Sequence, residues 1–307
     1  METLLNVENQ YANEERFSRK YIENKVKLYL KKDPDVNVKV HQGLSLLEAW
    51  LNQSYYAYKD TRLEQVRKLD LEELIWSIYT FVACLLKPDL YTSVVAQLAS
   101  HVGFSEKKEG IQTMSEIIAI LAETDVYDLF RDPTKGKYSS VYIRSNVNLT
   151  NALKLDLERS CYIPPMVVKP EVLTHNRSSG YLTVKGDSLI LGKGNNHHDG
   201  DICLDVLNIM NSVELNLDVD FLSTVEELPN HELDTEEKRE QWEDFKKQSY
   251  YFYSLLVNQG NHIYLTHKVD KRGRIYAQGY HITTQGTSFK KASLELAKKE
   301  IVPLEGL

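Results

Sequence analysis

YLTHKVDKRGRIYAQGYHITTQGTSFKKASLELAKKEIVPLEGL, residues 264–307, is the stretch on which the reading of this chain turns. It holds a DxxGR element, Asp270 to Arg274, with Arg272 and Gly273 inside it and Tyr276 two residues beyond. The pair Gln285-Gly286 comes next, and then a segment whose pattern predicts an amphipathic helix with Lys290 and Lys291 near its start. On residue types alone a plain reading stays open. Arg-Gly-Arg is a common tight turn on a charged surface, Tyr276 suits a core, and paired lysines are usually solvated.

Working outward, charge is unevenly placed. From Asn261 to Leu307 there are eight Lys or Arg against four acids, a surplus of +4 in a chain whose total is −7, so the preceding 260 residues carry −11. Between Lys193 and Lys238 twelve acids occur with no Lys or Arg, and such a surface repels phosphate. The balance argues against a nucleic-acid coat protein and makes the end of the chain the electrostatically plausible place for nucleic acid. With 307 residues, 42% of them hydrophobic, and only 14 Gly and 8 Pro, the chain is expected to fold as one large domain or two ordinary ones. No run approaches the roughly 18 apolar residues of a membrane span. The start METLLNVENQYANEERF lacks the layout of a secretory signal, so a cytosolic protein without membrane contact is expected. Cys84, Cys161 and Cys203 show no CxxC spacing, which predicts inert thiols.

The fold class expected is mainly α with minor β. Tyr11, Phe17, Tyr21, Val26 and Leu30 form a helical stripe that ends before Asp33-Pro34. Leu44 to Tyr58, Leu71 to Leu86 after an Asp70 N-cap, Thr92 to Val102 and Ile111 to Ala122 predict further helices. Val126 to Phe130 and Ser139 to Arg144, flanking Asp132-Pro133-Thr134-Lys135-Gly136, predict a β-hairpin within about 126–144. Residues 161–191 are expected to be irregular. Helix is predicted again from Asp205 to Val225, and from a Thr235 N-cap to about Val257. In GKGNNHHDGD, residues 192–201, His197, His198, Asp199 and Asp201 are candidate metal ligands, but adjacent ligands rarely face one ion and the glycines match no P-loop. A polar loop is the preferred reading.

The order DKRGRIY, TTQG, SLELAKK, LEG in the last forty or so residues resembles the single-subunit RNA polymerases of bacteriophages and mitochondria. In that family a D-x-R-G-R-x-Y element opens the palm, followed by a QG turn and an L-x-L-A-K-like helix. PPMVVKP (164–170) and SSGYL (178–182) look like the family's proline and GGGYW segment. LNIMNSVELNLDVDFL (207–222) is similar to the family's next helix, and EELP (226–229) to the approach to its thumb. KKQSYYFYSLLVNQGNHIYLTHKVD (246–270) resembles the returning part of the thumb, and the N-terminal helices are similar in pattern. The resemblance implies an N-terminal domain over 1–228, a thumb-like helix over 229–260 and the start of a palm over 261–307.

The chain departs from the family by stopping at Leu307, before the two metal-binding aspartates, the O-helix lysine and tyrosine, and the specificity loop. That resembles the smaller subunit of the heterodimeric RNA polymerase of N-four-like phages. The implied activity is DNA-directed RNA polymerisation by a heterodimer, inactive as an isolated chain, with Mg2+ and the catalytic carboxylates supplied by a second subunit. The implied partners are that subunit, template DNA, the RNA–DNA hybrid and NTPs, in the cytoplasm of an infected bacterial host. Arg272 and Arg274 would offer forked donors to phosphates or ribose hydroxyls, and Gly273 would admit close backbone approach. Tyr276 would stack on or bond to the template, and Lys290 and Lys291 would neutralise phosphates at their helix start. Asp270 is expected to organise the arginines rather than bind metal. The hairpin turn lacks an apolar wedge, which predicts poor promoter melting and dependence on an accessory or single-stranded-DNA-binding protein. The competing class is a non-enzymatic nucleic-acid-binding or scaffold protein with a basic C-terminal module.

Overall fold

The computed structural model describes residues 2–131, 140–160, 162–186, 188–192 and 196–299. These are 53% helical and 10% strand, so the fold is mainly α with minor β. The chain forms two compact units, one of residues 19–158 and one that joins 1–18 to 159–307. These boundaries do not coincide with the three polymerase-like segments, which divide the chain by resemblance rather than by packing.

In chain order the elements are α1 (Glu2–Phe17), α2 (Arg19–Lys31), α3 (Pro34–Leu51), α4 (Ala57–Val66), α5 (Leu71–Ala83), β1 (Asp89–Leu90), α6 (Tyr91–Leu98), α7 (Lys107–Leu121), β2 (Tyr127–Arg131), β3 (Val141–Ser145) and α8 (Asn151–Arg159). Then come α9 (Leu204–Asn211), β4 (Leu215–Leu217), α10 (Val219–Thr224), α11 (Glu236–Asn258), β5 (His267–Val269), β6 (Ile275–Ala277), α12 (Ser288–Ala292) and β7 (Leu294–Leu296).

In the unit of residues 19–158, apolar stripes meet in one core, with Ile22, Val26 and Leu30 of α2, Val40 and Leu47 of α3, and Ile75, Ile78 and Val82 of α5 buried. Asp33 and Asp70 cap α3 and α5, accepting from the N–H groups of Asp35 and Glu73. Tyr79 and Tyr127 bury their rings and keep their hydroxyls paired, with Thr124 Oγ1 at 2.7 Å and the Ile118 carbonyl at 2.6 Å. Fully buried Arg62 donates to Thr113 and to Glu116, 2.6 Å away. Burial works against the Glu116 charge, but hydrogen bonds from Lys59 and Arg62 outweigh it and hold the carboxyl below its ordinary range.

The expected hairpin is present as β2 and β3, antiparallel with Leu129 opposite Ile143, and β1 adds a third strand in the order β1-β3-β2. Its turn, including Pro133 to Gly136, lies outside the described residues, as does Cys161. The N-terminal stripe is two helices that part at Ser18, the helix expected over Leu44 to Tyr58 is the end of α3, which stops at Leu51, and the start of α4, and α8 forms where no helix was expected.

The other unit is held by α1, α11 and the small strands. Phe17 packs edge-on against Phe252 at 5.2 Å, beside buried Leu256, Ile263 and Leu265. Thr235 caps α11, accepting from Lys238 N–H at 3.2 Å. Two sequence expectations are corrected here. The helix expected from Asp205 to Val225 is α9, then strand β4, then α10. Leu215 and Leu217 are buried on either side of half-exposed Asn216, a period of two, and Asp218 caps the new helix through Phe221 N–H. The helix expected after Gln285-Gly286 is only the five residues of α12. SLEL instead supplies β7, which pairs antiparallel with β4, Leu294 opposite Leu217 and Leu296 opposite Leu215.

Candidate nucleic-acid interface

β5 and β6 form a two-stranded antiparallel hairpin whose turn is the DxxGR element. Asp270 closes it at both levels. Its backbone N–H donates to the Arg274 carbonyl at 2.9 Å, and its carbonyl accepts from Gly273 N–H at 2.9 Å. Its carboxylate then accepts from the backbone N–H groups of Arg272 and Arg274, at 2.8 and 3.1 Å. The same carboxylate takes Nε and Nη2 of Arg272 at 3.2 and 3.1 Å, Nε and Nη2 of Arg274 at 2.8 Å each, and the Tyr276 hydroxyl at 3.4 Å. Burial pushes the carboxyl's pKa up, but the Arg274 backbone N–H and guanidinium outweigh it, with Tyr276 helping, so the net shift is downward. The partnership raises the Arg274 pKa in turn.

The geometry leaves the arginines available. Asp270's side chain is 15% exposed, while those of Arg272 and Arg274 are 61% and 54% exposed. A guanidinium carries five N–H donors, and each spends only part of its fork on Asp270. Together with Lys271 they give the turn a surplus of positive charge on a rigid base. The Arg274 guanidinium also sits 5.6 Å from the Tyr276 ring centre.

Gly273 has φ of +80°, and nothing lies within 4 Å of where a Cβ would be. Its role is conformational. Gly273→Ala is expected to cost about 1–2 kcal/mol from the left-handed backbone alone, without a clash. Urea titration checks this; a cost near zero would mean that the turn relaxes to another form.

Gln285, read from sequence only as half of a turn, holds the hairpin's free edge. Its Oε1 accepts from Ala277 N–H at 2.9 Å and its Nε2 donates to the Ile275 carbonyl at 3.0 Å, so the side chain pairs with β6 as a neighbouring strand would. The lysines are differently placed. Lys290 is half-buried, its Nζ donating to the Tyr280 carbonyl at 2.6 Å and lying 5.0 Å from the Phe245 ring centre. Burial lowers its pKa. Lys291 is exposed, on a helix of five residues whose dipole is slight. Asp270, Arg272, Gly273, Arg274 and Tyr276 thus form one constellation, with Lys290 in a separate aromatic setting.

Among the described residues no three His, Cys, Asp or Glu side chains converge as a metal site. Asp199 pairs with Arg177 at 3.4 Å, and the carbonyls of His198 and Gly200 accept from Asn176 Nδ2.

Buried His281 stacks between Phe245 and Phe252, with Nδ1 2.8 Å from Ser249 Oγ. Burial, aided by Lys290, lowers its pKa to about 4. An unfolded histidine titrates near 6.5. The contribution to stability is therefore full above about pH 6.5 and is lost as pH falls through 4, a change of about 3 kcal/mol. His281→Phe is expected to flatten the stability profile between pH 7 and 4, measured by urea midpoints. An unchanged slope would assign the acid sensitivity to other groups.

No protein-family model matches the sequence, and no curated protein matches it.

Proposed function

We propose that this chain is the smaller subunit of a split, single-subunit-type DNA-directed RNA polymerase. The observation that carries the reading is the Asp270 turn, in which one shielded carboxylate fixes two exposed guanidiniums. Such a device suits an elongated anion held in one register, because planar forks bind phosphate directionally and their fixed base lowers the ordering cost on binding. The resemblance of DKRGRIY and its sequel to the family supplies the identity of that anion, template DNA and the RNA–DNA hybrid. Residues 1–228, 229–260 and 261–307 take the roles of N-terminal domain, thumb and opening palm, acting in the cytoplasm of an infected bacterial cell.

Mg2+ supplies charge neutralisation in phosphoryl transfer. Asp270 is unsuited to hold it, since its oxygens already accept from two guanidiniums. The second polypeptide supplies the carboxylates in this reading, and this chain's residues grip and align the strands while NTPs are added. The test is RNA primer extension on a preassembled RNA–DNA scaffold with Mg2+, using this chain, its candidate partner, and both. Extension only in the mixture is the expected result. No extension in any combination, with the two failing to co-purify, would favour a non-enzymatic nucleic-acid-binding protein.

A further inference from the structure

A cavity of about 270 Å3 lies at the foot of the β5–β6 hairpin, walled by Thr266 and His267 before the turn, Gln278 after it, Tyr162, Tyr181 and Asn211. Asn211, at the end of α9, is 3% exposed. Its Oδ1 lies 2.9 Å from His267 Nδ1, and its Nδ2 has no partner. Native structures seldom leave a buried amide donor unmet, because its lost hydration is not repaid. Gly180 keeps the adjoining space open: a Cβ there would lie 3.7 Å from Asn211 Nδ2 and 3.0 Å from Thr266 Cγ2.

The wall chemistry narrows the ligand. No Asp or Glu lines the cavity among the described residues, which argues against a cation. Burial lowers the His267 pKa, so the imidazole adds no charge near neutrality. Pockets for drug-sized ligands run from about 300 Å3 upward, so this one takes a smaller group. Two tyrosine rings and one unmet N–H donor suit a flat heterocycle with a ring nitrogen or carbonyl acceptor. The turn holding Arg272 and Arg274 begins three residues beyond His267, roughly 10 Å along a strand. That is the length of about three nucleotides at 3.4 Å each.

We propose that this cavity receives a single nucleobase, unstacked from a strand gripped by the Arg272–Arg274 turn or carried by a free nucleotide. The strand-borne form rests on the proposed nucleic-acid function; the free form does not.

The test titrates the full chain with AMP, GMP, CMP and UMP, and separately with single-stranded RNA of about eight nucleotides, a length within one binding site. Asn211→Leu removes the donor at similar volume and is expected to weaken binding about tenfold. Gly186→Phe is the second variant. A Cβ at Gly186, which lines the cavity, meets only Lys268 Nζ, at 3.3 Å and at the far end of a flexible side chain, so a ring there is expected to occupy the cavity with the fold retained. It is expected to abolish mononucleotide binding if the base is taken free, and to weaken RNA binding if it is taken from a strand.

Weakening of both probes by Gly186→Phe, or of the RNA alone, supports the proposal and identifies the source of the base. If Gly186→Phe binds both probes as tightly as the parent, or the parent binds neither saturably, the proposal fails. Arg274→Ala separates the two readings. RNA binding lost in Arg274→Ala but kept in Gly186→Phe leaves the polymerase reading without the cavity. Mononucleotide binding lost in Gly186→Phe, with RNA binding untouched by Arg274→Ala, leaves the cavity without that reading.

Discussion

Glu14→Ala is expected to cost about 3–5 kcal/mol, read as a fall in urea midpoint and as faster hydrogen exchange at Leu182, Thr183 and Val184. Glu14 is fully buried on α1, and its carboxylate accepts from five donors. They are the backbone N–H groups of Leu182 at 2.9 Å, Thr183 at 2.6 Å and Val184 at 3.1 Å, the Thr183 hydroxyl at 2.6 Å and Gln10 Nε2 at 2.8 Å. Alanine leaves three part-buried backbone donors without an acceptor. Each unmet donor costs about 1–3 kcal/mol, and water entering the gap trims the sum. Glu14→Gln keeps the shape and one acceptor oxygen, so about half the loss is expected. Ala and parent proteins with equal midpoints and equal exchange at these three amides would show that the carboxylate is not what secures the loop.

Asp270→Ala is expected to lower primer extension by the two-chain enzyme about a hundredfold, the scale of a small misplacement of aligned groups. Two effects oppose each other in binding. Deleting a carboxylate makes the turn more positive, which strengthens non-specific attraction to phosphates at low salt. The same deletion frees both guanidiniums and opens the turn, since Asp270 Oδ1 accepts from two of its backbone N–H groups. Affinity at low salt is therefore expected to hold or rise while extension falls. Arg274→Ala, by contrast, is expected to weaken scaffold binding and to reduce the salt slope by about one. A variant in which affinity and extension fall together would mean that Asp270 acts only through stability.

What the sequence disclosed was local. Thr235 announced α11, Asp70 announced α5, and short β-prone runs flanking the turn-rich sequence 132–136 announced β2 and β3, because caps and residue propensities are written within a few residues. The DxxGR turn was legible for the same reason, down to Asp270 as the organiser of its arginines. β4 and β7 were not legible. Each is three residues long, and each becomes a strand only because the other is there, almost eighty positions away in the chain. Asn211 meeting His267 and Glu14 holding residues 182–184 are likewise long-range, and even Gln285, only eight to ten positions from its partners in β6, gives no sign in its residue type that it will pair with a strand. Lys290 misled because a lysine pair reads as solvated, whereas aromatic Phe245 and Tyr280 enclose it from elsewhere in the chain.

The unit that joins residues 1–18 to 159–307 sets an order of events during synthesis. α1 leaves the ribosome before any other helix described, yet the amides that Glu14 must meet emerge 168 to 170 residues later. At about 5–20 residues per second, that is a wait of roughly ten to thirty seconds. In that interval residues 19–158 are complete and free to fold on contacts of their own, while α1 carries an unmatched carboxylate and the apolar ring of Phe17. A helix shorter than about 12–15 residues or little longer is marginal by itself in water, so α1 gains its permanence last though it is made first. The N-terminal helix is thus the closing piece of the C-terminal unit, and a nascent chain stalled before residue 182 would present it to whatever chaperone is near.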